Sequence, residues 1–272
     1  MADAIDWSEL ERLAVAAEAS GGTVGYAVLA PDGQRVARHG DRSFRAASTV
    51  KIPIMVEIFR QIDRGERALT DLHTLLPEDK TPGSGVLLHL HDGLQLALAD
   101  LLYLMIAISD NAATNTLIGM AGMARVNATM QSLGMAHSTL GREMKGRPAQ
   151  GDEQENWATP NDYVRAVQAI LNNEAGSPSS CEQMTALLER QQNRNRIARF
   201  LPQCEGLRWG SKTGSIAGVT NDAGFVTTNG KTLILAVYCE NLTDQHEGER
   251  AIGEIARAVM TATGIVEPLR TS

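Results

Sequence analysis

Strand-forming segments stand at the two ends of this sequence, and helical patterning fills the middle. That order constrains the fold more than any other feature, because a sheet must then be assembled from both termini with helices inserted in its connection. Thr23 to Leu29 is rich in small and β-branched residues, Pro31-Asp32-Gly33 marks a turn, and Gln34 to His39 reads as a return strand. Gly218 to Thr227 and Thr232 to Cys239 read as two more strands around Thr228-Asn229-Gly230-Lys231, whose Asn-Gly pair suits a tight hairpin. A helix over residues 7–19 carries Trp7, Leu10, Leu13, Ala14 and Ala17 on one face and stops at Gly21-Gly22, and Glu247 to Thr263 closes the chain as a helix. The expected fold is α/β: an antiparallel sheet flanked by N- and C-terminal helices, plus an inserted all-helical lobe. Residues 1–47 and 207–272 are expected to form the first lobe and 48–206 the second, with the site in the cleft between them.

The helical candidates of the middle are Lys51 to Ile62, Leu98 to Ile108, Asn111 to Met120, Ala124 to Leu133, Pro160 to Leu171 and Glu182 to Gln191. Leu98 to Ile108 is nearly all apolar, so that helix should be buried on most sides. With 272 residues, 43% of them apolar, the chain can bury a sizeable core. A net charge of -7 argues against a nucleic-acid partner. No run approaches the roughly 20 apolar residues that span a bilayer. Met1 to Glu18 lacks the basic start and apolar run of a secretory signal. The chain as given therefore reads as soluble, cytoplasmic unless a leader was removed. Cys181, Cys204 and Cys239 are odd in number and lack metal-ligand spacing, which reads as ordinary thiols and no disulfide framework.

Three short motifs carry the chemistry. Ser48-Thr49-Val50-Lys51 sits at a helix start, where residues three apart share a face. A serine needs a nearby base to become a nucleophile, and a lysine serves if burial or another cation lowers its pKa. Ser109-Asp110-Asn111 follows the apolar helix: Ser109 fits a proton relay and Asn111 an amide to substrate. Lys212-Thr213-Gly214-Ser215 precedes the strand expected near Gly218. As a strand edge it would line the cleft, with Lys212 and Thr213 holding a substrate carboxylate and Gly214 admitting a close backbone.

In this order the three motifs resemble the signature of class A β-lactamases and penicillin-binding serine hydrolases. The resemblance extends through Gly21-Gly22-Thr23-Val24-Gly25, Ser84-Gly85-Val86-Leu87 and Leu101 to Ile118. It implies a β-lactamase-like fold and an acyl-serine mechanism without metal or cofactor. The oxyanion hole would be the backbone N–H groups of Ser48 and Ser215, and small molecules such as β-lactams, peptides or esters would be the substrates. Alternatives within it are a D-Ala-D-Ala-type peptidase, a small-ester esterase, and a penicillin-binding sensor that stays acylated.

The sequence departs from that family in the loop before Thr159-Pro160, where a Glu-x-x-x-Asn pattern is expected. Arg142 fits the family's loop arginine, but Met144 then takes the glutamate position and Pro148 the asparagine position. Glu143, Glu153 and Glu155 are the nearby carboxylates, and Glu143, one residue away, is the preferred candidate for the deacylation base. The family's frequent disulfide is replaced by Met55 and Leu101 or Leu102. No arginine lies between Ser215 and Asp222, where many members contact the substrate carboxylate. Arg194, Asn195, Arg196 and Arg199 read as a solvated helix face, Met120, Met123, Met130 and Met135 as core filling, and His89 and His91 as loop residues, not metal ligands.

Overall fold

A computed structural model describes residues 5–266 apart from Ser20 and Cys204. The first elements are α1 (Ser8–Glu18), β1 (Thr23–Leu29), β2 (Arg35–Arg38), β3 (Phe44–Arg45) and α2 (Lys51–Asp63). The helical middle continues with β4 (Leu72–Thr74), β5 (Gln95–Ala97), α3 (Leu98–Ala107), α4 (Asn111–Ala121), α5 (Met123–Ser132), β6 (Trp157–Ala158), α6 (Pro160–Leu171) and α7 (Pro178–Glu189). The chain then returns through β7 (Arg208–Ile216), β8 (Val219–Thr228), β9 (Lys231–Glu240) and α8 (Gln245–Ala262).

The sheet has five antiparallel strands in the order β2-β1-β9-β8-β7. Strand β1 pairs with β9 from Thr23 opposite Glu240 to Leu29 opposite Ile234, so the two chain ends close one sheet. The hairpin of β8 and β9 turns on Asn229 and Gly230, whose φ values of 49° and 73° suit the Asn-Gly pair.

Alternate residues of the strands serve two cores. Ala27, Phe225, Ile234, Ala236 and Tyr238 join the core of the helical lobe. Val24, Tyr26, Val28, Leu233, Leu235, Val237 and Cys239 pack on the other face with residues of α1 and α8. Both faces are therefore dry, which is why β9 reads as an unbroken apolar run. Met55, Leu101 and Leu102, the residues at the family's frequent disulfide positions in the sequence, are buried in the first core. Met130 and Met135 are buried in that core, and Met120 and Met123 pack against it.

Three expectations need correction. Lys212-Thr213-Gly214-Ser215 is not a lead-in to a strand; it lies within β7, an edge strand. The helix expected from Glu182 begins at Pro178, capped by the Ser177 hydroxyl on Ser180 N–H. The arginine cluster is not a solvated helix face: residues 195–200 form bends and turns, and Arg196 is 1% exposed. Cys181 and Cys239 are buried and unbridged, whereas Cys204 and Met1 to Ala4 lie outside the described residues. Among the described residues no helix is long and apolar enough to cross a membrane, and no cluster of side chains suits a metal ion.

Candidate active site

Ser48 lies in a 3-10 turn, Ala47–Val50, that runs straight into α2. The residue before it, Ala47, has φ 46°, a left-handed conformation costly for a residue with a β-carbon. Ser109 is likewise left-handed at φ 61°. Strain at Ala47 and at Ser109 persists because the surroundings hold both. Asp110 does part of this. One carboxylate oxygen caps α4 at Ala113 N–H, and the other accepts the N–H groups of Val86 and Leu87. The three residues after the apolar helix are thus bolted to the 84–87 segment, and the Ser84 hydroxyl adds a bond to Ser109 O at 2.7 Å.

A cleft of about 470 Å³ is lined by Ser48, Ser109, Asn111, Thr213 and Ser215. Lys51 and Lys212 are fully buried beside it. Lys51 Nζ lies 2.8 Å from Ser109 O, 3.1 Å from Ser109 Oγ and 3.0 Å from Asn111 Oδ1. Burial, reinforced by the charge of Lys212, holds the Lys51 pKa well below that of an ordinary lysine, against a smaller opposing pull from Asp110. Once it is neutral, Lys51 has one lone pair to fill. Of its three partners only the Ser109 hydroxyl carries a proton to give. The amine and the Ser109 hydroxyl are thereby coupled in one proton path.

Lys212 Nζ donates to Thr213 O at 2.9 Å. Its pKa is lowered to about 7, chiefly by burial, with Asp222 opposing and Arg196 adding to the fall. Burial in turn raises the Asp222 carboxyl, against the cations around it. Gly214 admits a close approach, but by the chain itself: a β-carbon there would lie 2.9 Å from Ala46 O and 3.1 Å from Ser48 N. The edge of β7 is therefore pressed against the turn that carries Ser48.

Arg196 is a site residue that sequence reasoning missed. Its guanidinium donates to Gly214 O at 2.9 Å, to Asn221 O at 2.6 Å and to the Ser215 hydroxyl, and Glu249 lies 3.5 Å away. Arginine has donors only, so Ser215 Oγ accepts from it and keeps its own hydrogen for the cleft. Arg196 thus braces β7 and β8 from behind the cleft. Nothing in its sequence neighbourhood distinguishes it from Arg194 or Arg199.

The loop carboxylates are placed differently from one another. The backbone N–H and C=O of Met144 are both bonded by the Asn115 side chain, at 2.8 and 3.0 Å, which turns Met144 into the cleft wall. The neighbouring Glu143 is consequently exposed and borders a separate depression with His73, Glu78 and Asp79, away from Ser48. Glu153 is bound by Lys145 and Arg147, and those bonds hold it well below the usual carboxylate range. Glu155 does line the cleft. It accepts from the Arg142 guanidinium, Ala149 N–H and Asn156 N–H.

A two-faced antiparallel sheet with a helical lobe inserted between its strands, and a cleft built around Ser48, is the architecture of the β-lactamase fold. The model of the Beta-lactamase enzyme family matches residues 7–263, and the chain belongs to that family. The solved β-lactamase from Sphaerobacter thermophilus DSM 20745 is 58% identical, with a TM-score of 0.96 over 97% of this chain and 100% of its own. PBP-A is 26% identical, with a TM-score of 0.86 over 96% of this chain and 97% of its own. Beta-lactamase BRO-1 of Moraxella catarrhalis is 23% identical over 230 residues, 83% of this chain and 72% of that protein.

Proposed function

We propose that this protein is a serine hydrolase that opens β-lactams through an acyl-enzyme on Ser48 and releases the product slowly. The observation that carries the reading is the buried Lys51 amine, held on Ser109 and depressed in pKa by burial and by Lys212, one helical turn from Ser48. Lys51 takes the Ser48 proton as Ser48 Oγ attacks the lactam carbonyl carbon. The C–N bond breaks, and Ser109 passes a proton to the leaving nitrogen. The backbone N–H groups of Ser48 and Ser215 hold the oxyanion, while Lys212, Thr213 and Ser215 hold the substrate carboxylate. Metal and cofactor have no role in this sequence.

Deacylation needs a water and a base. The support for slow release is that Met144 stands in the cleft wall, Glu143 faces elsewhere, and Glu153 and Glu155 are already saturated with donors. The same observation favours one second reading, a sensor that stays acylated by penicillin. Intact-mass spectrometry after mixing with penicillin G separates these. An adduct that forms quickly and decays with product release is expected; an adduct that persists for hours points to the sensor. No adduct and no hydrolysis would defeat both and leave a peptidase or esterase. Ser48→Ala should abolish labelling, and labelling at the parental rate would sink the nucleophile assignment.

A further inference from the structure

We infer that Asn221 is a positioning residue for the oxyanion hole, its carboxamide setting the distance between the Ser48 turn and the edge of β7. This rests on the acyl-serine reading above. Asn221 lies on β8 and is fully buried. Its Nδ2 donates to Arg45 O at 2.9 Å and to Ala46 O at 3.3 Å, the carbonyls three and two residues before Ser48. Turning the amide over would set its oxygen against those two carbonyls, so the donors must point this way. Oδ1 then has no hydrogen-bond partner among the described residues. A buried acceptor left unpaired costs free energy, and the side chain that carries this cost is the one that ties the turn to the sheet.

What the carboxamide holds is strained. Ala47 follows the two carbonyls and is left-handed at φ 46°. A left-handed alanine relaxes unless its neighbours fix the peptides on each side. The Ala46 carbonyl also accepts the Thr49 hydroxyl at 2.7 Å, and Ala46 N–H donates to Asn156 O at 2.7 Å. Those bonds come from the turn itself and from the loop before β6; Asn221 supplies the bond from the sheet. Its own place is fixed twice over. Arg196 donates to its backbone O at 2.6 Å, and the strand register sets it opposite Gly214. Gly214 precedes Ser215, and a β-carbon on it would lie 3.1 Å from Ser48 N. One residue therefore stands behind both N–H groups assigned to the oxyanion, that of Ser48 through the turn and that of Ser215 through the strand. Without its bonds Ala47 can return to negative φ, and the Ser48 N–H swings away from Ser215. Lys51 and Ser109 have supports of their own, in α2 and in the bonds of Asp110.

The test separates the limiting rate of acylation from the affinity that precedes it. Labelling of the whole chain by penicillin G and by p-nitrophenyl phenylacetate is followed by intact mass over a range of concentrations. Asn221→Ala and the milder Asn221→Ser are compared with the parent, each with and without Ala47→Gly. Both Asn221 variants should lose roughly 10²-fold in the limiting rate, the low end for a lost oxyanion donor, with the half-saturating concentration within about twofold of the parent. Ala47→Gly should recover roughly tenfold in either Asn221 variant, because glycine adopts the left-handed conformation without the cost that alanine carries. A parental limiting rate in both Asn221 variants overturns the inference. So does a loss that Ala47→Gly does not recover, or one that appears as weaker affinity alone; either would make Asn221 a support of the sheet. If Asn221→Ala does not fold, Asn221→Ser decides, and loss of the folded state in both counts against the inference in the same way. If the ester labels Ser48 and penicillin G does not, the β-lactam reading fails and the ester still decides the role of Asn221. If neither labels the parent, the acyl-serine reading falls and takes this inference with it.

Discussion

On the proposed reading, in which Lys212 holds the substrate carboxylate, its protonation couples pH to substrate choice. Buried and with its pKa lowered to about 7, it is charged below that pH and loses its charge as pH rises through it. The second-order rate for carboxylate-bearing penicillins should therefore fall as pH passes about 7, while that for a neutral ester should not; parallel profiles for both would remove Lys212 from carboxylate recognition. The same shift makes a stability statement. The unfolded lysine keeps its proton to about 10.4. Between about 7 and 10 the unfolded state thus binds more protons, and this group's contribution to stability rises with pH across that window. Met144 offers the complementary test. Met144→Glu places a carboxylate in the cleft wall, pinned by the Asn115 bonds to its backbone. If a missing base limits release, the penicillin adduct should decay at least about 10²-fold faster, the low end for general-base catalysis. An unchanged lifetime would mean that water access limits release. The meeting of Ser48, Lys51, Ser109 and Lys212 at one cleft was legible because each belongs to a motif of short spacing. The burial of Arg196, Asp222 and Asn156 near that cleft was not, because it depends on the distant segments packed against them.

At the scale of elements, β7 is the instructive case. Its sequence, Arg208 to Ile216, carries Gly210, Ser211, Lys212, Thr213, Gly214 and Ser215 and shows no apolar alternation. Residues 210–214 are nevertheless all buried, because β8 covers one side, α7 packs on it and the Ser48 turn presses on its edge. The hairpin β8-β9 was legible from Asn229-Gly230, where the turn chemistry is local. Helix α6 was read correctly from Pro160 to Leu171, where Thr159 supplies the cap and Pro160 the first position. The start of α7 had the same Ser-Pro signal at Ser177-Pro178 and was placed four residues late. Gly214→Ala tests the contact between β7 and the nucleophile turn. A methyl group 2.9 Å from Ala46 O and 3.1 Å from Ser48 N forces the two apart. The cost should be about 1–3 kcal/mol, as for other overpacked sites, with acylation slowed more than binding. Denaturation and single-turnover labelling would check this; a variant labelling at the parental rate would show that the spacing is not critical.

At the scale of the molecule, Arg196 joins parts that are remote in sequence. It comes from the 193–200 segment, holds the carbonyls of Gly214 on β7 and Asn221 on β8, and faces Glu249 of α8. Removing one partner of a buried charge cluster strands the others, at a cost of about 3–5 kcal/mol. Arg196→Ala should lose that much in chemical denaturation. Its deficit should shrink on acidification, because burial already raises the Asp222 pKa and loss of the opposing cation raises it further. In the folded state a raised carboxyl binds its proton first, so falling pH favours folding relative to the parent. A deficit independent of pH would argue that the arginine acts through packing alone. Helical period, turn residues and motif spacing were enough to determine the α/β class, the sheet assembled from both ends, and the three motifs of the cleft. These depend on residues within a turn or two of one another. Tertiary structure alone decided which charges are buried and which loop carboxylate faces the cleft. Burial and partnership are properties of what packs against a residue, and here those neighbours come from segments tens of residues away.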